Sequence, residues 1–358
     1  MIKNILFLLT VVGVISSGFS QEDILLKNYD PVSIYRTGQT TVGKAKFPVI
    51  DMHSHPYAQN SEEIAQWVQT MNEKGIEKTI LLTKETGKAF DSIYNIYSKF
   101  QDRFELWCGF DFSGYQEKGW AEKAIKELER CYTVGAKGVG ELGDKGAGLI
   151  YSRPTPAKGM HIDDARMQPL LKRCAELGMP ISIHIAEPFW MYEPIDKHND
   201  GLMNAAKWKI DTADKNLLMH GELIASLENA VKNNPETTFI ACHYANCSYD
   251  LGIVGKLLDT HENLYLDISA RYAEVSPIPR YTKAFFEKYG DRLLYGTDMG
   301  FDSDMYETTL RILETKDEHF YKKDLFSYHW SLNGLGLDDN TLKKLYHANA
   351  KKILDGVE

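Results

Sequence analysis

Two histidines one residue apart, His53 and His55, close an apolar run that reads Phe47-Pro48-Val49-Ile50-Asp51-Met52. Alternate side chains of a strand share a face, so both imidazoles can reach one metal ion. The pair alone is weak grounds for a metal, because histidines at this spacing are more often surface or packing residues. Other ligand-type residues close other apolar runs: Glu141 after Gly138-Val139-Gly140, His184 after Ile181-Ser182-Ile183, His243 after Phe239-Ile240-Ala241-Cys242, and Asp298 after Tyr295-Gly296-Thr297. Taken singly, His184 and His243 read as satisfied core histidines and Asp298 as a turn or helix cap. Gathered on one face, these imidazoles and carboxylates would hold a divalent cation and leave a group over for proton transfer.

What could gather them is an alternation of short apolar runs with longer amphipathic ones, the pattern of parallel βα units. Strands are expected at Phe47–His53, Lys78–Thr83, Glu105–Phe110, Ala136–Gly140, Pro180–His184, Thr238–His243, Leu264–Asp267 and Leu293–Gly296. Helices are expected at Ser61–Lys74, Ala89–Lys99, Glu117–Thr133, Asp163–Leu177, His220–Asn233, Asp250–Thr260, Pro279–Tyr289 and Asp304–Glu314. Such units close into an α/β fold, a (β/α)8 TIM barrel, whose functional groups stand at the C-terminal ends of the strands. A doubly wound open sheet is disfavoured because no glycine-rich phosphate loop follows the first strand. Residues 21–46 then form an N-terminal extension, 47–358 the barrel, and Leu335–Leu354 a helical tail that covers part of it. Two connections, Lys145–Ile162 and Glu187 to about Leu218, are long enough to shape a substrate pocket.

Residues 1–20 read as a signal peptide, with Lys3 before an apolar run from Ile5 to Ile15 and small residues ahead of Gln21. The run is shorter than the ~20 apolar residues of a spanning helix, so cleavage is expected rather than anchoring. The mature chain is expected to be exported, periplasmic if the source has two membranes, with no membrane association after cleavage. A formal charge of −9 and the lack of a basic run argue against nucleic acid, which leaves a small-molecule substrate. A homo-oligomer is compatible with the sequence. The five cysteines, Cys108, Cys131, Cys174, Cys242 and Cys247, read as small buried residues rather than a disulfide framework, although export would permit a pair such as Cys242 with Cys247.

The motifs Asp51-Met52-His53-Ser54-His55, Gly138-Val139-Gly140-Glu141, Ile183-His184, Phe239-Ile240-Ala241-Cys242-His243 and Gly296-Thr297-Asp298 resemble those of the metal-dependent amidohydrolase superfamily. Within it the chain is most similar to the amidohydrolase-related branch that includes the aminocarboxymuconate-semialdehyde decarboxylase-like lyases. The resemblance runs from about residue 47 to 350, where Asn349-Ala350-Lys351-Lys352-Ile353-Leu354 is similar to the closing helix of that branch. It is specific for the superfamily and unspecific for substrate. It implies that His53, His55, His184 and Asp298 hold one divalent ion, zinc in the first place and manganese as an alternative. His243 would act as a base or help bind a second ion. Glu141 resembles the bridging carboxylate of a binuclear branch, and Lys137 is a weaker candidate for the carboxylated lysine of others.

On this reading a divalent ion lowers the pKa of bound water toward ~7. Asp298 would take the proton and return it to a leaving group, while His243 polarises a carbonyl. The expected activity is hydrolysis of an amide, ester or lactone bond in a small molecule. The alternative is a metal-dependent decarboxylase or hydratase acting on a small unsaturated acid. A non-catalytic metal-binding module would be favoured only if the ligands were broken. Arg271 is a candidate clamp for a substrate carboxylate, with a structural ion pair as the competing reading. The cluster Phe189-Trp190-Met191-Tyr192 reads as a pocket wall or as packing of the long loop.

Overall fold

Short β-branched and aliphatic runs become eight strands: β1 Val49–Ser54, β2 Ile76–Leu82, β3 Phe104–Trp107, β4 Val139–Asp144, β5 Ile181–Ile185, β6 Phe239–Ala241, β7 Leu264–Asp267 and β8 Leu293–Leu294. The computed structural model describes residues 24–151, 153 and 155–357, so the leader expected at 1–20 lies outside the described residues. All pairings within the strands β1-β2-β3 and β8-β7-β6-β5-β4 are parallel. A parallel bridge from Cys108 to Val139 joins β3 to β4. At the other seam Met52 N donates to Tyr295 O at 2.9 Å and Thr297 N to His53 O at 3.1 Å. Together these seams close the sheet into a barrel, which leaves no exposed edge.

The helices between the strands are α1 Ser61–Lys74, α2 Gly87–Tyr97, α3 Trp120–Val134, α4 Gln168–Glu176, α5 His220–Asn233, α6 Leu251–Thr260, α7 Pro279–Tyr289 and α8 Ser303–Glu314. In α1 the side chain of Asn60 accepts from the N–H groups of Glu62 and Glu63, and Gly75 ends the helix with φ of 81°. Ile64, Trp67 and Met71 recur along its buried face, which is what a helical period of 3.6 requires. The start of α4 is later than the pattern from Asp163 suggests. Asp163 instead accepts hydrogen bonds from Ser226 Oγ at 2.6 Å and Asn229 at 3.1 Å, and Pro169 occupies the first turn of the helix.

Ile50, Met52, Ile80, Leu82, Trp107, Ile240, Tyr265 and Leu294 form a cluster separate from the main core, and Ala350 and Ile353 of the C-terminal helix Asn349–Leu354 pack into it. This end of the barrel is therefore closed by apolar packing, and polar chemistry is left to the other. The tail is helical from Asp339 rather than Leu335 and carries one π-helical turn, Lys344–Ala348. Its Asn349 side chain donates to Gly290 O at 2.7 Å and Leu293 O at 2.8 Å, pinning it beside β8. The segment before β1 lies along the surface, where Thr40 donates to Asp317 through N at 2.6 Å and Oγ1 at 2.7 Å. All five cysteines are free and buried, so Cys242 and Cys247 are not paired. Among the described residues no helix is long and apolar enough to cross a membrane.

Candidate metal centre

Both histidines of the opening pair reach one carboxylate. His55 Nε2 lies 3.1 Å and His53 Nε2 3.7 Å from Asp298 Oδ1. The register of β1 against β2 shifts between Asp51 and Ser54, so this convergence depends on a local irregularity as well as on simple alternation. Glu141 stands at the centre of the group. Its Oε1 is 3.6 Å from His53 Nε2, 3.4 Å from His243 Nε2 and 3.1 Å from His184 Nδ1, and its Oε2 is 3.6 Å from His55 Nε2. The ligand atoms of His53, His55 and Asp298 form one compact set and those of His53, Glu141 and His243 another. His184 stands to the side, with Nε2 directed to Glu187 Oε2 at 3.5 Å.

Backbone conformation delivers two of these side chains. β6 stops at Ala241, short of the expected His243, because His243, Tyr244, Ala245 and Asn246 all take left-handed φ values of 51° to 60°. Such a run is costly for residues other than glycine, and specific hydrogen bonds offset the cost. His243 N donates to Asp267 Oδ1 at 2.9 Å, while the Asn246 side chain donates to Ile185 O at 3.0 Å and Ala186 O at 3.2 Å. Asp298, with φ of 53°, is held by its N–H to His53 O at 2.9 Å.

The charges are strongly coupled. Burial lowers the proton affinity of His53, but Asp267 at its Nδ1 outweighs that and holds the imidazole pKa well above the usual range. Burial pushes His243 down to about 4. For Glu141, burial acts to raise the pKa but is outweighed by the hydrogen bond from His184, the closeness of His243 and the charge of Lys84, so the carboxyl stays well below its usual value. Asp298 is likewise depressed, burial being overcome by the charge of His53 and the hydrogen bond from His55. Both carboxylates are therefore ionised at neutral pH.

The donor set fits a divalent cation. The Nε2 atoms of His53, His184 and His243 are buried and have no hydrogen-bond partner among the described residues. Buried nitrogens of this kind are rare unless something else satisfies them. In His53 and His243 the other ring nitrogen is engaged away from the centre, Nδ1 of His53 with Asp267 at 2.9 Å and Nδ1 of His243 with Ser269 O at 2.9 Å, and Nδ1 of His55 likewise donates to Leu82 O at 2.7 Å, whereas Nδ1 of His184 meets Glu141 itself. This arrangement directs the free nitrogen of a metal-ligating histidine inward.

A family model described as amidohydrolase matches residues 116–356. The chain belongs to the amidohydrolase family. That match begins after β3, so it includes Glu141, His184, His243 and Asp298 but not the His53-Ser54-His55 pair. Among solved structures, an uncharacterized TIM-barrel protein from Bordetella bronchiseptica is 14% identical and aligns over 87% of this chain and 99% of its own, with a TM-score of 0.55. An apo structure from Agrobacterium tumefaciens is 11% identical over 88% of this chain and 98% of its own, with a TM-score of 0.51. Both support the barrel fold. No curated protein sequence matches the chain.

Other residues of this amidohydrolase take part that strand-end reading passes over. Lys84, at the end of β2 with φ of 63°, places Nζ 2.7 Å from Glu141 Oε2. Lys145 is paired with Glu187, and both line the same cavity of about 380 Å³ as Glu141, His184, His243, Arg271 and Asp298. Asp267 carried a legible signal, since it closes the run Leu264–Asp267 as the other site residues close theirs. Lys84 carried none. Lys137 is exposed ahead of β4 and takes no part. Arg271 is held by structural contacts and also faces the cavity. It lines the cavity, and it also donates through Nε and Nη2 to Asn246 Oδ1 at 2.9 and 2.6 Å and lies 3.4 Å from Glu274. The aromatic cluster divides as well. Trp190 lines a neighbouring chamber, whereas Phe189 stacks on Tyr249 and Tyr192 packs against His220.

Proposed function

We propose that this chain is a metal-dependent hydrolase that cleaves an amide, ester or lactone bond of a small molecule. The observation that carries the reading is the pair of buried, unpartnered imidazole nitrogens, Nε2 of His53 and of His243, that face the ionised carboxylates of Glu141 and Asp298. His53, His55, His243, Glu141 and Asp298 would hold a single divalent cation, zinc or manganese, with His184 and Glu141 available to a second. When bound, such a cation supplies Lewis acidity that lowers the pKa of water toward ~7. Asp298, ionised and open to the cavity, accepts the proton of the attacking water and returns it to the leaving group. His243, neutral at pH 7 with Nδ1 engaged by Ser269 O, presents the lone pair of Nε2 and so serves as a ligand rather than as a donor to the substrate. Asp267 and Ser269 hold His53 and His243 in place.

A second reading is favoured by the cations of the cavity. Lys84, Lys145 and Arg271 all line it and suit an acid substrate, as a decarboxylase or hydratase of an unsaturated acid would need. The leader-like residues 1–20 support the hydrolytic reading in an exported, periplasmic enzyme. Metal analysis of the purified protein is expected to find about one equivalent of transition metal. Zinc- and manganese-loaded enzyme should then release alcohol, amine or hydroxy acid from a panel of esters, amides and lactones without carbon dioxide. Carbon dioxide release from unsaturated acids, with no hydrolysis, would decide for the second reading. Absence of stoichiometric metal, with stability unmoved by chelator, would end both.

A further inference from the structure

Two chambers abut the metal centre from different edges of the barrel mouth. One, of about 300 Å³, shares Trp208, Ala270 and Arg271 with the central cavity. The other, of about 470 Å³, shares His55 and Lys84 with it. The two chambers have no lining residue in common, so the ligand cluster lies between them. A substrate that filled only the centre would leave both empty.

The first chamber has an uneven chemistry. Trp190, Met299, Phe326 and Tyr328 give it apolar and aromatic walls, and its charged lining residues are Arg271 and Lys207, with no aspartate or glutamate among them. Arg271 is partly neutralised from behind by the buried Glu274, 3.4 Å away, and is oriented by Asn246. Lys207 is exposed at the rim. The wall is fixed: Tyr328 is stacked on Trp330 at 4.2 Å, and a side chain at Gly201 would collide with the Trp190 ring. An apolar box with two cations and no carboxylate favours a ligand that brings both apolar surface and negative charge.

We propose that this chamber binds an apolar, anionic tail of the substrate, remote from the bond attacked at the metal centre. The inference rests on the hydrolytic reading and deepens it: the substrate is an ester, amide or lactone whose scissile group is separated from an acidic apolar group, and the chamber beside His55 and Lys84 receives the other half. The carboxylate recognised here is a handle and not the reacting group.

The test is binding of naphthalene-1-acetate and of its neutral amide to the purified full chain, followed by tryptophan fluorescence and calorimetry. The anion is expected to saturate a single site and to bind about tenfold or more tightly than the amide. Lys207→Met, at an exposed position that cannot disturb the core, and Arg271→Met should each reduce that preference, and Phe326→Ala should weaken both ligands. Equal binding of anion and amide, no saturable binding, or a preference that survives both cation replacements would overturn the proposal. Intact anion-selective binding in a protein that hydrolyses nothing would sink the hydrolytic reading alone. Ester turnover without anion preference would sink the tail site alone.

Discussion

Asp267 Oδ2 lies 2.9 Å from Nδ1 of His53, and both residues are fully buried. The other oxygen of the same carboxylate accepts from His243 N at 2.9 Å, Ser269 N at 3.0 Å and Ser269 Oγ at 2.5 Å. One carboxylate thus orients the imidazole of His53 and the backbone of His243, so that their Nε2 atoms face the same space. Burial acts to raise the Asp267 pKa, yet the charge of His53 and its hydrogen bond hold it down at about 2. Asp267→Asn keeps the shape and the acceptor oxygen but removes the charge. Metal affinity, measured by chelator competition, is expected to fall by about 10- to 100-fold. Wild-type affinity in a folded variant would remove Asp267 from any role in orienting the ligands.

The catalytic assignment to Asp298 is tested by Asp298→Asn assayed at saturating metal. Tyr57 OH, 3.4 Å from Oδ1, and His55 Nε2, 3.1 Å away, remain to hold the amide, so the fold should survive. Loss of a proton acceptor in the reaction predicts a fall in kcat of about 10²- to 10⁴-fold, with KM little changed. A variant with near-normal kcat at full metal occupancy would transfer the base role to another residue.

How far the sequence discloses this centre depends on what each residue signals. His53, His55, Glu141, His184, His243 and Asp298 are ionisable groups that follow apolar runs, and polarity at the end of a buried run is conspicuous in one dimension. Helices α1, α5 and α7 begin and end where their periodicity and caps place them. The end of β6 was not legible, because four left-handed residues there, His243 to Asn246, include no glycine to announce them. β4 runs later than its pattern suggests, because Gly143 and Asp144 do not look like strand formers and extend only by pairing with His184 and Ile185 of β5. Lys84 was hidden for a different reason. A lysine after a strand is ordinary, and only the closed barrel brings its ammonium to Glu141.

That lysine bears on how many ions the site holds. Lys84 Nζ, 2.7 Å from Glu141 Oε2, neutralises a carboxylate that could otherwise bridge two cations. Its own pKa is raised: burial acts to lower it, but the charge of Glu141 outweighs burial. Wild-type protein is therefore expected to bind about one equivalent of zinc tightly, and Lys84→Met to take up a second, weaker equivalent in an equilibrium titration. An unchanged stoichiometry of one would show that Lys84 does not limit the ion count.

His161 offers a test of the loop that carries Tyr151 to the cavity. Its Nδ1 donates to Asp144 Oδ2 at 2.7 Å, and the other oxygen of Asp144 accepts from Gly146 N at 3.0 Å and Gly148 N at 3.2 Å, so the contact ties 145–162 to the end of β4. The hydrogen bond to Asp144 raises the His161 pKa above the usual 6.5, and partial burial opposes it. A folded-state pKa above the unfolded one means that the folded protein binds the proton more tightly. The stabilisation is therefore fully present below the unfolded value and is lost as pH rises through the folded one. Tm measured from about pH 5 to about pH 9 for the wild type and His161→Gln should differ most at the acid end and converge toward the alkaline end. Asp144 is fully buried and the His161 side chain is 20% exposed, so solvent screens the contact only in part. A gap that widened with rising pH would mean that His161 is held neutral in the fold, and that the tie to Asp144 does not depend on its charge.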